Sequence, residues 1–302
     1  MQQEKQGYRF IPDILSIKLT HFGALAGYIK IGRLRMNNIK KPIIFIKIGG
    51  SLITDKTKPF SLKEKALDTI CDEIKKALQM DKWLIIGHGA GSFAHVPAKK
   101  YQTHRGIIND ESYRGIAEVA DVAAQLNRIV IKKFLEHGVN AVTISPLSTM
   151  LAKNHELSAL CSDSLEAILK LGLLPVVYGD QIIDTKVGCT VFSTEKVLGY
   201  LALHLKKKGY NIERIIHCGQ TNGVYDADGK TIERITVKNI ERHRSALTGS
   251  NGTDVTGGMI HKVEETLALA KQGIPGLIID GVEHGSLSKA IKGEKVFGTK
   301  IE

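Results

Sequence analysis

The stretch IIFIKIGGSLITDK, residues 43–56, decides the fold of this chain. It is an apolar, β-branched run that contains Lys47 and continues into the turn Gly49-Gly50-Ser51 and a second lysine, Lys56. This pattern predicts a buried strand that ends in a glycine turn. The backbone N–H groups of such a turn can face an anion, and lysines beside it add positive charge, so the unit suits a polyphosphate. A structural turn with two solvated lysines is the alternative that this stretch alone leaves open.

The composition favours a cytoplasmic globular protein that binds a small anion. The chain has 302 residues, 43% of them hydrophobic, and a formal net charge of +11. A phosphorylated small molecule satisfies that charge as well as nucleic acid does, because the lysines and arginines are spread out and form no basic block interleaved with aromatic residues. We therefore expect a small-molecule partner, no nucleic acid and no membrane. The four cysteines form no CxxC pair, so neither a zinc site nor a disulfide framework is predicted.

Residues 1–41 differ in composition from the rest of the chain and are interpreted as an N-terminal extension. They are basic and poor in acidic residues, which raises a transit peptide or a membrane-surface helix as possibilities. They lack the serine enrichment of the former and the cleavage site of a secretory signal. Met36 is an alternative start, since MNNIKKP leads directly into the first core strand. A native N-terminal arm and a start at Met36 both stay open.

From residue 42 onward, strand-like and helix-like segments alternate. The predicted strands are IIFIKIG, WLIIGHG, NAVTIS, LLPVVYGD, ERIIHCG and GIPGLIIDG, and helices are predicted around residues 62–78, 113–136 and 164–171. Such alternation predicts βαβ units and a mainly parallel sheet that is covered by helices on both faces. The segment around residues 179–188 is the candidate boundary between two lobes of a single domain.

A second glycine loop, GHGAGSFAHVPAKKY, spans residues 87–101. It fails the dinucleotide pattern GxGxxG at the last glycine, so it does not indicate a Rossmann fold. His95 follows a glycine turn at the carboxyl end of a strand, where open α/β sheets bind ligands, and it can donate a hydrogen bond to a phosphate. His88 lies nearer the strand and is predicted to be structural. The segment GVYDADGKT, residues 223–231, has one residue too many for a Walker loop and indicates a polar turn.

A third unit, TDVTGGMIHKVEETLALAKQG, spans residues 253–273. Its Gly-Gly turn opens an amphipathic helix, with Lys262 in the first turn. Lysine is disfavoured at the positive N-terminal end of a helix, so its position favours a bound anion. A solvated lysine is the alternative.

These three units, in this order, resemble the amino acid kinase superfamily and, within it, the isopentenyl phosphate kinases. The resemblance extends from residue 42 to the C-terminus, and GSFAH followed by PAKKY is its most specific part. It implies a three-layer αβα fold, a homodimer, and ATP with Mg²⁺ as the phosphoryl donor. It also implies conversion of isopentenyl phosphate to isopentenyl diphosphate in a cytoplasmic isoprenoid pathway. Residues 42–180 would form an acceptor-binding lobe with the phosphate loops, and residues 181–302 a nucleotide-binding lobe.

The resemblance assigns roles residue by residue. It implies few metal ligands, mostly phosphate oxygens and water, so no residue is assigned to the metal. Lys56 would stabilise charge on the transferring phosphoryl group, His95 would hold the acceptor phosphate, and Ala90 would lie against the acceptor. The ATP phosphates and the rest of the nucleotide would contact Lys47, Gly49, Gly50, Ser51, Gly91, Gly258 and Lys262. With Lys47, Lys56 and His95 as the catalytic residues, transfer would be direct and in line, without a phosphoenzyme.

The sequence departs from the family at two places. Many members have Ser-Gly-Asp where this chain has Ser193-Thr194-Glu195, so a contact to the acceptor would fall to Thr194. Gln220 replaces an aspartate and Asn222 a second acid in a segment that ends at Tyr225, and Gln220 and Tyr225 are carried over as nucleotide contacts. These changes leave nucleoside preference open. A fosfomycin-type kinase and a non-catalytic nucleotide-binding sensor on the kinase fold are the alternative functions.

Overall fold

The structure is a computed structural model that describes residues 41–55, 57–248 and 258–302, except the side chains of His95 and of residues 245–248. The described residues belong to a compact unit, Met36–Glu302. The predicted N-terminal extension lies outside the described residues except for Lys41, whose ammonium group forms an ion pair of 3.0 Å with Asp81. The alternatives for residues 1–41 and the lobe boundary at residue 180 stay predictions.

Within the described ranges the chain forms twelve strands, ten α-helices and one 3₁₀ helix, Thr103–Arg105. The strands are β1 Ile43–Ile48, β2 Trp83–His88, β3 Ala141–Thr143, β4 Met150–Lys153, β5 Glu156–Leu160, β6 Leu174–Tyr178, β7 Asp180–Asp184, β8 Gly188–Phe192, β9 Ile212–Gly219, β10 Arg234–Ile235, β11 Gly276–Asp280 and β12 Gly298–Ile301. The helices are α1 Gly50–Ile53, α2 Glu64–Ala77, α3 Gly91–Tyr101, α4 Glu111–Glu136, α5 Pro146–Thr149, α6 Asp163–Lys170, α7 Thr194–Lys207, α8 Ile240–Thr248, α9 Gly258–Lys271 and α10 Ser286–Lys292. No described helix combines the length and the apolar character needed to cross a membrane.

The main sheet has eight strands in the order β10-β12-β11-β9-β1-β2-β6-β3. All of its pairs are parallel except β11 with β12, so the predicted mainly parallel sheet is confirmed. β1 lies between β9 and β2, and all six of its residues are buried. This burial explains why the strand is an almost continuous apolar run, because a strand covered on both faces has no polar alternation.

The sheet is the middle layer of three, as predicted. On one face, Ile44, Ile46 and Ile48 pack with apolar residues of α2, α4 and α10. On the other face, Ile43 and Phe45 pack with apolar residues of α6, α7 and α9. Each fully buried side chain of this size contributes roughly 1.5–3 kcal/mol relative to an exposed one. Lys47 interrupts the second face at the carboxyl end of β1, where the sheet meets the candidate site.

A second sheet of four strands, in the order β5-β4-β7-β8, was not predicted. Its β5 is mostly exposed, which removes the apolar run that marks the strands of the main sheet. The Asp184 carboxylate fixes two turns of this sheet by accepting backbone N–H bonds of 2.7–3.1 Å from Asn154, His155, Lys186 and Val187. Burial opposes ionisation of this carboxyl, but the N–H bonds lower its pKa to about 2.

The interpretation of residues 87–101 as one glycine loop is wrong for most of its length. Gly91–Tyr101 forms α3, with Pro97 inside the helix. Proline removes one i to i−4 hydrogen bond, so local propensity opposes this helix. Packing compensates, because Gly115 of α4 has no side chain and Tyr101 lies against its backbone, where a Cβ atom would collide.

Candidate active site

The candidate site lies at the carboxyl ends of the parallel strands β1, β2 and β9. β1 and β2 run directly into the two predicted glycine loops, and the loops pack backbone against backbone. A Cβ atom on Gly50 would lie 2.5 Å from the Gly91 nitrogen, and one on Gly89 would lie 2.8 Å from the Gly50 nitrogen. Glycine is therefore required at these positions for close approach. The structure brings the predicted residues Gly49, Gly50, Ala90 and Gly91 together at one edge of the sheet.

Thr54 locks the two loops to each other. Its Oγ1 donates a hydrogen bond to the Gly50 carbonyl oxygen at 2.8 Å and accepts one from the Ser92 N–H at 2.9 Å. Gly91 has a φ angle of +53°, and a Cβ atom there would collide with Thr54. This backbone arrangement holds the first turn of α3 next to α1. The amides of the glycine loops are thus pre-organised.

Lys47 is buried at the base of the first loop, and its ammonium group is paired. Its Nζ lies 2.7 Å from the Glu195 Oε1, and the two side chains are 11% and 15% exposed. Glu195 lies in the first turn of α7, which packs over β2 because Gly87 leaves room: a Cβ atom on Gly87 would lie 2.7 Å from Thr194 Cγ2. An ion pair this deep fixes the position of Lys47, since leaving either partner alone in this environment is costly.

Two lysines set the ionisation of Glu195. Burial alone would raise the pKa of this carboxyl, but the positive charges of Lys47 and Lys262 outweigh burial and hold the pKa well below its usual range. Glu195 is therefore ionised at neutral pH. Its negative charge in turn helps burial to raise the pKa of Glu265, on α9, to about 7. The structure thus places Lys262 of the third predicted unit in the same electrostatic cluster as Lys47 of the first.

Thr194 is buried at the N-terminus of α7. Its Oγ1 donates to the His88 carbonyl oxygen at 2.8 Å, so the side chain is committed to the protein interior. Ser193 caps the helix by accepting the Lys196 N–H at 3.2 Å, and Gly179 allows the first turn to approach, because a Cβ atom there would lie 3.1 Å from the Thr194 nitrogen. A contact to the acceptor at Thr194 would have to use the backbone, and it stays a prediction.

His88 has the structural role that its position next to the strand predicts. Its Nδ1–H donates to the Gly89 carbonyl oxygen at 3.2 Å, and its Nε2 accepts from the Asn127 Nδ2 at 3.1 Å. Burial lowers the pKa of the imidazole to about 4. This histidine is neutral, fully buried and stacked on Tyr178 with ring centroids 5.6 Å apart.

Several predicted site residues are described only in part. Lys56 lies outside the described residues, as does the segment 249–257 before α9, and the side chain of His95 is not described although its backbone belongs to α3. Gly258 begins α9 with a φ angle of +67°, which glycine adopts readily. Ser51 lies in α1, and its carbonyl oxygen accepts a hydrogen bond from Lys63 Nζ at 2.9 Å. The assigned roles of these residues remain predictions.

The predicted nucleotide-side loop comes after β9. Gln220 is exposed, Tyr225 is 41% exposed, and the latter pairs with Thr231 across a short turn, in agreement with the polar turn predicted there. Asn222 Oδ1 accepts a hydrogen bond from Thr231 Oγ1 at 2.8 Å, so this side chain stabilises the loop itself. Gln220 and Tyr225 follow the carboxyl end of β9, and Lys47 lies at the carboxyl end of the neighbouring strand β1. Their contacts to the nucleotide stay predictions.

Sequence reasoning missed two residues of the site. Glu195 belongs to the motif Ser193-Thr194-Glu195, yet its pairing with Lys47 is a tertiary contact that no local pattern reveals. His217 stands in an apolar strand and gives no signal of its own, although its register partner on β1 is Lys47. Among the residues that the structure describes, no group of three or more His, Cys, Asp or Glu side chains is placed to hold a metal ion.

Comparison with known proteins gives a consistent family assignment. Residues 42–280 match the model of the amino acid kinase family. The chain is 33% identical over 270 residues to an isopentenyl phosphate kinase of Methanocaldococcus jannaschii, covering 86% of this chain and 98% of that protein. It is 32% identical over 270 residues to an isopentenyl phosphate kinase of Methanothermobacter thermautotrophicus, with the same coverage of both chains.

A solved structure agrees with the sequence comparison. An X-ray structure of isopentenyl phosphate kinase superposes with a TM-score of 0.72 at 29% identity, covering 86% of this chain and all of that one. The similarity therefore includes the fold as well as the motifs.

Proposed function

We propose that this chain, which belongs to the amino acid kinase family and within it to the isopentenyl phosphate kinases, transfers the γ-phosphoryl group of ATP to isopentenyl phosphate. One observation of the site carries the proposal. Two interlocked glycine loops meet beside a buried lysine that a carboxylate holds in place. This arrangement provides backbone amides and a fixed positive charge, which are the groups that bind phosphates. The transfer would be direct and in line, since phosphoryl transfer needs positioning and charge stabilisation rather than a protein nucleophile.

Electrostatic repulsion explains why several cations are needed. A phosphomonoester carries between one and two negative charges at neutral pH and must approach the charged end of ATP. At about 4 Å and an effective dielectric constant near 20, each pair of unit charges repels by roughly 4 kcal/mol. Positive charge must therefore come from more than one direction. Lys47 from β1 and Lys262 from α9 approach the cluster from different elements, and Lys56 and His95 would add charge and a hydrogen-bond donor on the acceptor side.

Glu195 has a supporting role in this proposal. It does not lie where it would accept a proton, because Lys47 occupies its Oε1 and its charge is stabilised by both lysines. Its role would be to hold the Lys47 ammonium group in position until the phosphates of ATP bind. Glu195 would thus be a positioning residue for Lys47, which acts with Lys56 and His95 as one of the proposed catalytic residues.

Mg²⁺ would enter together with ATP. The described part of the chain offers no cluster of ligands for a resident metal, and the Glu195 carboxylate beside Lys47 is already paired. Phosphate oxygens and water would therefore be the main ligands, which is usual for this ion. When bound, Mg²⁺ neutralises charge on the phosphates.

Three further features are proposed from the family alone. They are the homodimer, a cytoplasmic location in isoprenoid biosynthesis, and the division of the kinase domain into an acceptor-binding lobe, residues 42–180, and a nucleotide-binding lobe, residues 181–302. Size measurement in solution tests the first. Gln220 and Tyr225 are retained as nucleotide contacts, with nucleoside preference to be measured using ATP, GTP and CTP.

A coupled assay of ADP release tests the function. Purified protein is supplied with ATP and Mg²⁺ and with isopentenyl phosphate, dimethylallyl phosphate, fosfomycin or acetylglutamate. Preference for isopentenyl phosphate is the expected result. Preference for fosfomycin would replace the proposal with the fosfomycin-type kinase, and ATP binding without turnover of any acceptor would support the sensor.

Two alanine variants separate the proposed roles of the acceptor-side residues. Lys56→Ala is expected to lower kcat by about two orders of magnitude or more with little change in ATP affinity, since its charge acts on the transferring group. His95→Ala is expected to raise KM for the phosphate acceptor more than KM for ATP. Unchanged turnover of the first variant, or unchanged acceptor kinetics of the second, would remove the assigned role.

A further inference from the structure

His217 is a buried histidine beside Lys47, Lys262 and Glu195, and the proposed mechanism gives it no role. It lies on β9, is 2% exposed, and has Lys47 as its register partner on β1. Residues paired in this way project to the same face of a sheet, so both side chains lie beneath the helices α7 and α9. Its Nδ1 is one of five buried side-chain atoms of the described residues that have no hydrogen-bond partner.

The hydrogen bonds fix the tautomer of this imidazole. Its Nε2 lies 3.0 Å from Thr266 Oγ1, and that hydroxyl donates to the Lys262 carbonyl oxygen at 2.6 Å. A hydroxyl has a single hydrogen to donate, so Thr266 must accept the Nε2–H of His217. Nδ1 then carries a lone pair and no proton. Burial, opposed by Glu195 and assisted by Lys262 and Lys47, lowers the pKa of His217 to about 3, which agrees with this neutral form.

The same bonds connect both lysines of the cluster. His217 is held beside Lys47 by the ladder between β9 and β1. Through Thr266 it is also tied to the main chain of Lys262, the fifth residue of α9. The two hydrogen bonds, from His217 to Thr266 and from Thr266 to the Lys262 carbonyl oxygen, therefore fix how the helix turn that carries Lys262 is rotated and placed relative to the sheet. A positively charged or unbonded side chain at this position would disturb the arrangement of two cations around Glu195.

We propose that His217 and Thr266 are positioning residues for phosphoryl transfer: the relay from His217 Nε2–H to Thr266 Oγ1 to the Lys262 carbonyl sets Lys262 at its distance from Lys47. This inference rests on the proposed function for the role of Lys262 at the ATP phosphates. The relay acts through Lys262 and touches neither substrate. The imidazole stays neutral at every working pH, so it adds an acceptor without adding a third positive charge.

Matched variants test the relay. Thr266→Val removes the hydroxyl and keeps the shape, and His217→Leu removes the donor. Each is expected to raise KM for ATP and the dissociation constant for Mg²⁺-ATP measured without acceptor by about three- to tenfold, the factor that one hydrogen bond of ordinary strength represents. Thr266→Ser and His217→Gln keep a hydroxyl and a terminal N–H donor respectively, and both are expected to restore most of the loss.

The double variant Thr266→Val with His217→Leu distinguishes a relay from two independent packing effects. Because both changes break one path, the double variant is expected to bind ATP about as weakly as either single variant. If the losses of ATP affinity in the two single variants multiply in the double variant, the relay is overturned. It is also overturned if all variants have lower melting temperatures and unchanged ATP affinity, and His217 is then a packing residue. KM for isopentenyl phosphate is expected to change less than twofold.

The readouts keep this inference separate from the proposed kinase activity. If the wild-type protein binds Mg²⁺-ATP but phosphorylates no acceptor, the proposed function fails and the ATP titration still decides the relay. If the wild-type protein turns over isopentenyl phosphate and Thr266→Val matches it in ATP affinity, the relay fails and the function stands. A wild-type protein that binds no nucleotide overturns both.

Discussion

His88 and His217 occupy similar positions in the sheet and differ in what surrounds them. Both lie near the carboxyl end of a central parallel strand, both are at least 98% buried, and burial lowers the pKa of each imidazole, to about 4 and about 3 respectively. They project to opposite faces, because His217 is in register with Lys47 and His88 with Ile48. On its face, His88 meets a neutral network, whereas His217 meets two lysines and a glutamate.

Burial and a lowered pKa therefore do not identify a functional histidine, whereas the hydrogen-bond partners and charges around the imidazole do. Both nitrogens of His88 are bonded, and the network ends at Asn127, whose Oδ1 accepts the Thr143 hydroxyl at 2.5 Å. Such a closed network specifies a core. Among the residues that the structure describes, His217 Nδ1 has no hydrogen-bond partner, and an acceptor in that state would destabilise an ordinary core by about 1–3 kcal/mol. A residue kept in that state beside ionised groups belongs to the site.

The largest effect on catalysis should come from removing a charge on the face of the main sheet that carries His217 and Lys47. Lys47→Met keeps the length of the side chain and removes the ammonium group, and we expect kcat with ATP and isopentenyl phosphate to fall by about a hundredfold or more. Lys41→Met is the matched control, since Lys41 pairs with Asp81 at the other end of β1. Equal activities of the two variants would show that the charged face is not the site.

A smaller effect is expected from Glu195→Gln, which keeps the shape and removes the negative charge. Without its partner, the Lys47 ammonium group is less well positioned, and we expect kcat/KM for ATP to fall by about tenfold. Glu213→Gln is the control, because Glu213 pairs with Lys82 at 2.7 Å at the opposite end of β9. Loss of activity in both variants alike would indicate a general effect of weakening β9.

The same variant should change how stability depends on pH. The folded pKa of Glu195 lies below its ordinary value of 4.5, so this group stabilises the fold above that pH, and the contribution is lost as the pH falls. Denaturant titrations of wild type and Glu195→Gln from pH 6 to pH 3 measure it. The wild type should lose more free energy of unfolding over this range. Parallel curves would contradict the ionised pair.

The His88 face should affect stability without affecting catalysis. Asn127→Leu leaves His88 Nε2 and the Thr143 hydroxyl without their partner, and we expect the free energy of unfolding to fall by about 1–3 kcal/mol. Gln125→Leu, on the same helix, removes an exposed bond to Asp121 and should change stability by less than about 0.5 kcal/mol. The KM for ATP should be unchanged in both. A tenfold rise in that KM for Asn127→Leu would erase the distinction between the two faces.

The two faces also differ in how far the sequence could predict them. The apolar strands and the glycines that follow them are local patterns, so the parallel sheet, the glycine turns at the ends of β1 and β2 and the structural role of His88 were predicted. The pairing of Lys47 with Glu195 and the bond of His217 to Thr266 join segments far apart in the chain, and no periodicity encodes such contacts. β5 and α3 were missed for a related reason, since exposure removed the apolar signal of one and Pro97 opposed the propensity of the other.

A third histidine, His137, has surroundings opposite to those of His88 and His217. It lies on the surface between α2 and α4, with Nδ1 2.8 Å from Asp72 Oδ1 and Nε2 3.1 Å from Asp68 Oδ1. Because both ring nitrogens face carboxylates, the imidazolium form is favoured, and the hydrogen bonds to Asp72 and Asp68 raise the pKa of His137 above 6.5. Charge is thus stabilised at this site, whereas burial removes it from His88 and His217.

The pH dependence of folding tests this third environment. A raised folded pKa means that His137 stabilises the protein fully below pH 6.5 and that this contribution is lost as the pH rises through the folded value. We expect His137→Gln to be less stable than wild type by about 0.2–1 kcal/mol at pH 5.5, the usual range for exposed ion pairs, and the difference to shrink by pH 9. His104→Gln, at an exposed position, is the control. Burial also raises the pKa of Asp180 and of Glu265 to about 7, so the wild type itself loses stability as the pH rises from about 4 to 7. The contribution of His137 is therefore measured as the difference in stability between wild type and His137→Gln at each pH. A difference that is constant from pH 5.5 to pH 9 would show that His137 packs between the helices without its charge.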